Sequence, residues 1–291
     1  MTSSPASAVL KPGTLTLAAT PIGNPLDASM RLVRALHDAH LIAAEDTRRL
    51  KRLATDLGIR LQAQTISYHE HNEQERTATL IAAAQDGRCV LLVTDAGMPV
   101  VSDPGFRAVQ AAHEAGVPVD VLPGPSAPLT ALAHSGLAPD SFLFEGFLPR
   151  RPSQRRAALE QLAAEQRTLL FFESPRRTRE TLMALADVFG EQRRAAVARE
   201  LTKTHQEVLR GTLGELVAWA ENTDVLGEIV LVVAGADAAA AARDSAAAAF
   251  ELAQQKVASG TRLKTATKEA AAAYPGVSAR ELYEQLLAAK Q

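Results

Sequence analysis

Two glycine-bearing loops stand where chemistry would be done, each directly after a short apolar run. The first is ATPIGNPLD, Ala19 to Asp27, in which Pro21, Gly23 and Pro25 prevent an immediate helix start. That keeps the chain in a loop at the carboxyl end of a strand, where ligands sit in open α/β sheets. The second is TDAGMPVVSDPG, Thr94 to Gly105. Gly97 and Gly105 let backbone approach a ligand closely, while Asp95 and Asp103 supply carboxylates that accept hydrogen bonds from ribose hydroxyls or an amino group. Asp103-Pro104 reads equally as a helix N-cap with proline at the first helical position. Ser126, in LPGPSA, is open in the same way between helix cap and ligand contact.

A basic run, EDTRRLKRL, follows a further apolar stretch: Asp46 and Thr47 cap a helix whose first turns carry Arg48, Arg49, Lys51 and Arg52. Cations at a helix N-terminus oppose the macrodipole, so an anionic partner explains the placement better than a solvated face does. Arg150-Arg151 with Arg155-Arg156, and Arg176-Arg177 with Arg179, occupy similar strand-to-helix junctions, and together these clusters point to a phosphate-lined partner. His69 and His71 in YHEHN have the spacing of two side chains on one strand face, but no HExxH or cysteine pair accompanies them and no metal site is expected. GxGxxG, GxxxxGK[ST] and G-x-S-x-G are all missing, which removes the dinucleotide fingerprint, the P-loop and the serine-hydrolase elbow.

These loops need a scaffold, and the alternation of the chain describes one. Strands are expected at Leu15 to Ala19, Leu41 to Ala44, Thr65 to Tyr68, Val90 to Thr94 and Val117 to Leu122, with helices at Ala28 to Ala39, Thr47 to Leu57, Glu73 to Gln85 and Pro104 to Ala115. Strands alternating with helices mean βαβ units and a largely parallel sheet. Glycines and prolines cluster between Pro123 and Pro139, read as a linker around a short helix. A second α/β domain of more mixed strand direction follows, with strands at Phe142 to Phe147, Leu169 to Phe172, Ala195 to Ala198, Gln206 to Leu209 and Ile229 to Val233. The expected division is a frayed tail over 1–13, domains over 14–122 and 140–235, and an alanine-rich spacer with a helical module over 236–291. In that module Ser278 and Glu281 form a capping box beside the turn at Pro275-Gly276.

Composition agrees with a globular enzyme of about two domains: 291 residues, 47% hydrophobic and 22% charged. A formal net charge of -2 argues against a uniformly basic nucleic-acid binder and leaves room for local patches. The single cysteine, Cys89, lies in an apolar run and reads as a buried small hydrophobe in a reducing compartment, so a cytoplasmic location is expected. No run reaches the roughly 18 apolar residues of a membrane span, and the N-terminus does not read as a signal peptide.

Taken together and in order, ATPIGNPLD, IAAEDTRR, SYHEHNE, VTDAGMPVVSDPG, VLPGPSA, FEGFLPR, FFESPRR, ARELTKTHQEV and GEIVLVVAG closely resemble the ribosomal RNA small subunit methyltransferase I family, a branch of the tetrapyrrole methylase superfamily. The resemblance runs from Thr14 to Gly235 and extends to the family's small C-terminal helix-turn-helix module. It implies two α/β domains of tetrapyrrole-methylase type with S-adenosylmethionine in the cleft between them, a homodimer, and 2'-O-methylation of a cytidine in the decoding region of bacterial 16S ribosomal RNA. Carried over by position, cofactor contacts fall on Pro21, Gly23, Asn24, Gly97, Met98, Pro99, Ser126 and Ala127. Met98 replaces the superfamily's aspartate, and Asp95 is the candidate substitute.

Methyl transfer from a sulfonium is an in-line displacement, so alignment supplies much of the acceleration and no metal is required. A 2'-hydroxyl also needs its proton removed or its developing charge stabilised. Glu45, Asp46, Glu173, Arg199, Glu200 and Lys203 are the candidates, with Lys203 open between base and phosphate contact. Arg48, Arg49, Arg150, Arg151, Arg176 and Arg177 are the expected RNA contacts. Two other functions compete: a small-molecule methylase leaves the arginine clusters unexplained, and a non-catalytic ribosome-binding protein leaves the glycine-rich loops without a purpose.

Overall fold

The computed structural model of the chain describes residues 9–274 and 276–289, with backbone alone over 238–244. In the first domain β1 (Leu15–Ala18), β2 (Leu41–Ala44), β3 (Gln64–Ser67), β4 (Val90–Val93) and β5 (Val119–Leu122) form one sheet in the order β3-β2-β4-β1-β5. Every pairing in it is parallel. The connecting helices are α1 (Met30–Asp38), α2 (Thr47–Asp56), α3 (Glu73–Gln85) and α4 (Phe106–Glu114). Leu32, Leu36 and Leu50 from α1 and α2 pack on one face, and Leu80, Ala84, Ala108 and Ala112 from α3 and α4 on the other. Covered on both faces, β1, β2 and β4 are buried at every position, which is why VLLV and LIAA read as unbroken apolar runs.

Because all five strands are parallel, their carboxyl ends share one edge. The loop after β1 leads towards β2 on one side, and the loop after the adjacent β4 leads towards β5 on the other, which opens a crevice between them.

The second sheet runs β6-β7-β10-β8-β9 and is mixed: β6 (Phe142–Phe147) and β7 (Thr168–Glu173) are parallel, while β10 (Ile229–Val233), β8 (Arg194–Arg199) and β9 (Glu207–Thr212) pair antiparallel. One face is covered by α6 (Pro152–Leu162), α7 (Thr178–Phe189) and α8 (Leu213–Glu221), through Leu159, Leu182, Leu185, Leu213 and Leu216. The other is covered by α5 (Ala127–Ser135), whose Ala131 and Leu132 pack with Leu170, Ala198 and Val232. The short helix expected within the linker is therefore the opening helix of the second domain. Ile22 of the first domain joins the same cluster, so the face that carries α5 also forms the domain seam.

Two more boundaries differ from expectation. Leu10 is buried in the first core, so the ordered domain begins before Thr14, and residues 1–8 of the expected tail lie outside the described residues. The alanine-rich stretch is not a bare spacer: α9 (Ala238–Ala258) sends Ala249 and Ala253 into a separate small core with Ala270 of α10 (Leu263–Ala273) and Leu282 and Leu286 of α11 (Ala279–Ala288). Ser278 accepts from the Glu281 N–H as expected, although Pro275 of the turn lies outside the described residues. A reciprocal capping box occurs instead at Thr212 and Glu215, opening α8.

Candidate active site

A cleft of about 510 Å³ lies at the carboxyl edge of the parallel sheet, between the two domains. Ile22, Met98 and Val101 from the first domain and Phe147, Phe172 and Val230 from the second make its apolar walls, and Glu45, Asp95 and Asp103 bring carboxylates to it.

The loop after β4 is tied down at its start. Thr20 and Gly97 exchange backbone hydrogen bonds, each 3.0 Å long, with Gly97 at φ +83°. Further along, Val100 and Ser102 also hold left-handed backbone, at φ 78° and 63°. For residues with a side chain, and for β-branched Val100 especially, this is a costly conformation of the kind that gathers at functional sites. Gly105 at φ 136° is the N-cap of α4, which has no side-chain cap. Asp103 therefore does not cap that helix, and it lines the cleft instead. Ser126 is the N-cap residue of α5 but its hydroxyl makes no capping bond, and it too lines the cleft with Ala127.

The three carboxylates are unequally engaged. Asp95 Oδ1 accepts from the Asp46 N–H at 3.0 Å and Oδ2 lies 3.4 Å from Arg49 Nε. Glu45 Oε2 accepts from the Asp95 N–H at 3.3 Å. Burial raises both pKa values; the Asp95 charge adds to the rise at Glu45, and Arg49 opposes it at both. Asp103 is pushed up to about 7, first by burial, then by the Glu45 charge, with the Thr94 hydroxyl opposing and Asp95 adding. Asp46 goes the other way: hydrogen bonds from the Arg48 side chain and backbone hold it well below the usual carboxylate range, and it caps α2.

The Tetrapyrrole (Corrin/Porphyrin) Methylases family matches residues 14–217. A Mycobacterium bovis protein named ribosomal RNA small subunit methyltransferase I is 50% identical over 279 residues, covering 96% of each chain. A Pseudomonas aeruginosa protein of the same name is 41% identical over 277 residues, covering 94% of this chain and 97% of that one. This chain belongs to the ribosomal RNA small subunit methyltransferase I family. Solved structures agree on the fold. The methyltransferase CobJ superposes with TM-score 0.60 at 24% identity, over 77% of this chain and 95% of that one. A Thermus thermophilus uroporphyrin-III C-methyltransferase complexed with S-adenosylhomocysteine does so with TM-score 0.56 at 19% identity, over 76% and 97%.

Within this methyltransferase I chain the expected site residues separate into two groups. Glu45, Asp95, Gly97, Met98, Ser126, Ala127 and Glu173 line the cleft. Pro21, Gly23, Asn24 and Pro99 do not, although Ile22 from the same first loop does. Gly23 instead permits contact across the domains: a Cβ there would lie 2.9 Å from the Leu201 carbonyl oxygen and 2.7 Å from Thr202 Oγ1. Glu173 is buried with its carboxylate satisfied, by Thr181 Oγ1 at 2.6 Å and the Ser174 N–H at 2.7 Å, with Arg177 Nη2 at 3.4 Å.

Arg199, Glu200 and Lys203 lie outside the cleft lining. Arg199 pairs with Glu207 at 2.5 Å. Lys203 Nζ reaches Glu200 at 2.7 Å and Glu228 at 3.1 Å. Partial burial pulls the ammonium's pKa down, but these two carboxylates outweigh it and raise it, so Lys203 is held as a cation and not poised as a base. Glu200 also accepts from the Glu228 N–H at 3.0 Å and packs against Gly227, where a Cβ would meet it at 2.4 Å from its Cγ. Gly227 and Glu228 line the cleft and were missed in the sequence, as were Phe147 and Phe172; a tight turn just before the apolar run IVLVV was the available signal.

The basic residues also divide. Arg48, Arg150, Arg151 and Arg176 are exposed, and Arg49 is exposed while reaching Asp95 in the cleft. Arg177 turns inward, donating to the Leu148 and Pro149 carbonyls at 2.9 and 3.3 Å, and so is committed to the fold. The rings of His69 and His71 meet edge-on, 5.9 Å apart, and no group able to hold a metal occurs among the described residues.

Proposed function

We propose that the chain transfers the methyl group of S-adenosylmethionine to the 2'-oxygen of a cytidine in the decoding region of bacterial 16S ribosomal RNA. Membership of the family carries the coarser part: the chain is a methyltransferase of small-subunit ribosomal RNA, with S-adenosylmethionine as its methyl donor. The observation that carries the site is the donor set of the interdomain cleft. Apolar walls face the Glu45 and Asp95 carboxylates, which suits a ligand with a hydrophobic body, ribose hydroxyls and two cationic centres.

When bound, this cofactor supplies a methyl carbon on a positively charged sulfur that departs as a neutral thioether. Ile22, Val101, Phe172 and Val230 would shield the bound cofactor from water, and the Thr20–Gly97 bridge would hold the loop that carries Gly97 and Met98 in the cleft wall. Asp95, fixed by Asp46 and Arg49, would take the part of the superfamily acid that Met98 replaces. Arg48, Arg49, Arg150, Arg151 and Arg176 would take RNA phosphates, and the α9–α11 unit would add a further RNA contact.

The protein would act as a homodimer in the cytoplasm; among the described residues no helix is long and apolar enough to cross a membrane. Mass-spectrometric mapping of ribosomal RNA from cells lacking the protein tests the reading. Loss of one 2'-O-methylcytidine in the small-subunit RNA is expected, and an unchanged modification map rejects it.

A further inference from the structure

We infer that Asp103 is the proton acceptor of the reaction, the catalytic residue that takes the proton of the acceptor hydroxyl as that oxygen is methylated. This rests on the methyl-transfer reading above.

Position is the first argument. Asp103 lines the cleft, and it is released from the helix-capping duty its sequence context suggests, because Gly105 occupies the N-cap of α4. Left-handed Val100 and Ser102 precede it, and Ser102, although exposed, reaches the second domain: a Cβ on Gly146 of β6 would come within 3.2 Å of Ser102 Oγ. The loop thus holds its unfavourable backbone against the domain seam, an expenditure that a mere connection between β4 and α4 would not need.

Elimination is the second argument. Asp46 is ion-paired and held ionised by Arg48, and Glu173 is saturated by Thr181, Ser174 and Arg177. Lys203 is kept protonated between Glu200 and Glu228, and Arg199 is occupied by Glu207. Asp95 spends both oxygens on Asp46 and Arg49, and Glu45 accepts from the Asp95 N–H with the Arg49 charge close by, whereas at Asp103 only the Thr94 hydroxyl favours the ionised form. Asp103 has no cationic partner among the ion pairs of the described residues.

The charged groups around it set its working range. Glu45 from the loop after β2 and Asp95 from its own loop face it as like charges, Arg49 of α2 reaches their side, and Glu173 and Glu228 stand in the opposite wall. Burial and the Glu45 charge bring it to about 7, where a carboxylate is both available and basic enough to be useful. The atoms balance without another reactant. The 2'-oxygen bonds to the methyl carbon, the carbon–sulfur bond breaks with its electron pair left on sulfur, and the hydroxyl proton passes to an Asp103 carboxylate oxygen.

The test compares the intact enzyme with Asp103→Asn and Asp103→Glu, using small ribosomal subunits as substrate, from about pH 5.5 to about 9. S-adenosylhomocysteine affinity is measured by calorimetry on the same proteins. The wild-type rate should fall as pH drops through about 7, because the base becomes protonated. Asp103→Asn should lose about 10²-fold or more in kcat and the acid limb with it, with S-adenosylhomocysteine affinity changed by less than about threefold. Asp103→Glu should recover part of the rate together with an acid limb. A parallel loss of S-adenosylhomocysteine affinity would make Asp103 a cofactor ligand, and an unchanged kcat would make it inert; either overturns the inference. Should the asparagine variant not fold, a ¹³C titration of the Asp103 carboxyl in the wild type decides, since an ordinary carboxylate midpoint rejects the role. Absence of methyl incorporation by the wild type would instead count against the proposed function itself.

Discussion

The backbone N–H of Asn24 donates to Thr202 Oγ1 at 3.0 Å, joining the first loop of one domain to the β8–β9 loop of the other. Thr202 makes this contact from left-handed backbone, φ 65°, and Gly23 beside it leaves no room for a side chain. The glycine therefore fastens the domains together across one end of the cleft. Gly23→Ala should force the Leu201 carbonyl away and destabilise the protein by about 1–3 kcal/mol, the usual cost of overpacking. Chemical denaturation measures the loss, and calorimetry with S-adenosylhomocysteine should show weaker binding because Ile22 shifts with the loop. Unchanged stability and affinity would mean that the seam is free to separate.

Gly97 has a different task. A Cβ there would make ordinary contact with Ile22 at 3.6 Å, so a methyl group has room, and the first obstacle to any side chain is the φ of +83°. Gly97→Val should cost about 1–2 kcal/mol if the backbone stays put. Relaxing that strain would break the paired bonds to Thr20 and displace Met98. Cofactor affinity should fall either way, and a folded Gly97→Val protein with wild-type affinity would remove this loop from the binding site.

What the sequence disclosed follows from what each pattern encodes. Apolar runs such as VLLV report burial on both faces, so the parallel sheet and the position of its loops were legible. The segment around α5 reads as a linker around a short helix, and the helix is there; its glycines and prolines mark turns but say nothing of Ala131 and Leu132, whose burial depends on a sheet formed later in the chain. Asp103 was ambiguous for a similar reason: Asp-Pro signals a helix start, and only the backbone reveals that the cap falls two residues later, on Gly105. Arg176 and Arg177 are adjacent and identical in type, yet one faces solvent and the other the Leu148 carbonyl, a distinction no local pattern carries.

That pair yields a sharp contrast. Arg177→Ala leaves the buried Glu173 carboxylate without its cation, a loss of about 3–5 kcal/mol that should appear as a large fall in the denaturation midpoint. Arg176→Ala should leave stability within about 0.5 kcal/mol, as exposed substitutions usually do. Its effect should appear in RNA binding, where the salt dependence should flatten by about 0.7 log units per log unit of salt for one lost phosphate contact. Equal stability losses in the two variants would contradict the assignment.

Arg48 and Arg49 separate in the same manner. Arg48 pairs with Asp46 at the surface, whereas Arg49 reaches Asp95 in the cleft. Arg48→Ala should flatten the salt dependence of RNA binding by about 0.7 and leave S-adenosylhomocysteine affinity alone. Arg49→Ala should change both, because it frees the Asp95 carboxylate. A salt slope that survives loss of both arginines would place the RNA elsewhere.

The last prediction concerns α9–α11, whose core of Ala249, Ala253, Ala270, Leu282 and Leu286 is separate from those of the two α/β domains. Ala236 still belongs to the second domain, since its N–H donates to the Glu165 carbonyl at 2.6 Å, so the informative truncation ends at Asp237. Lys256 and Arg280 are engaged by Glu269 and Glu284. Arg262 at the N-cap of α10 and Lys264 and Lys268 within it are exposed. If these three each neutralise one phosphate on a single strand, truncation should lower the salt slope of RNA binding by about 2 and raise the KM for small subunits, with S-adenosylhomocysteine affinity unchanged. The triple alanine variant of the full chain should reproduce the change in slope. A truncated protein that loses cofactor affinity as well, or changes its mass by light scattering, would show that the helices hold the enzyme together and do not recognise RNA.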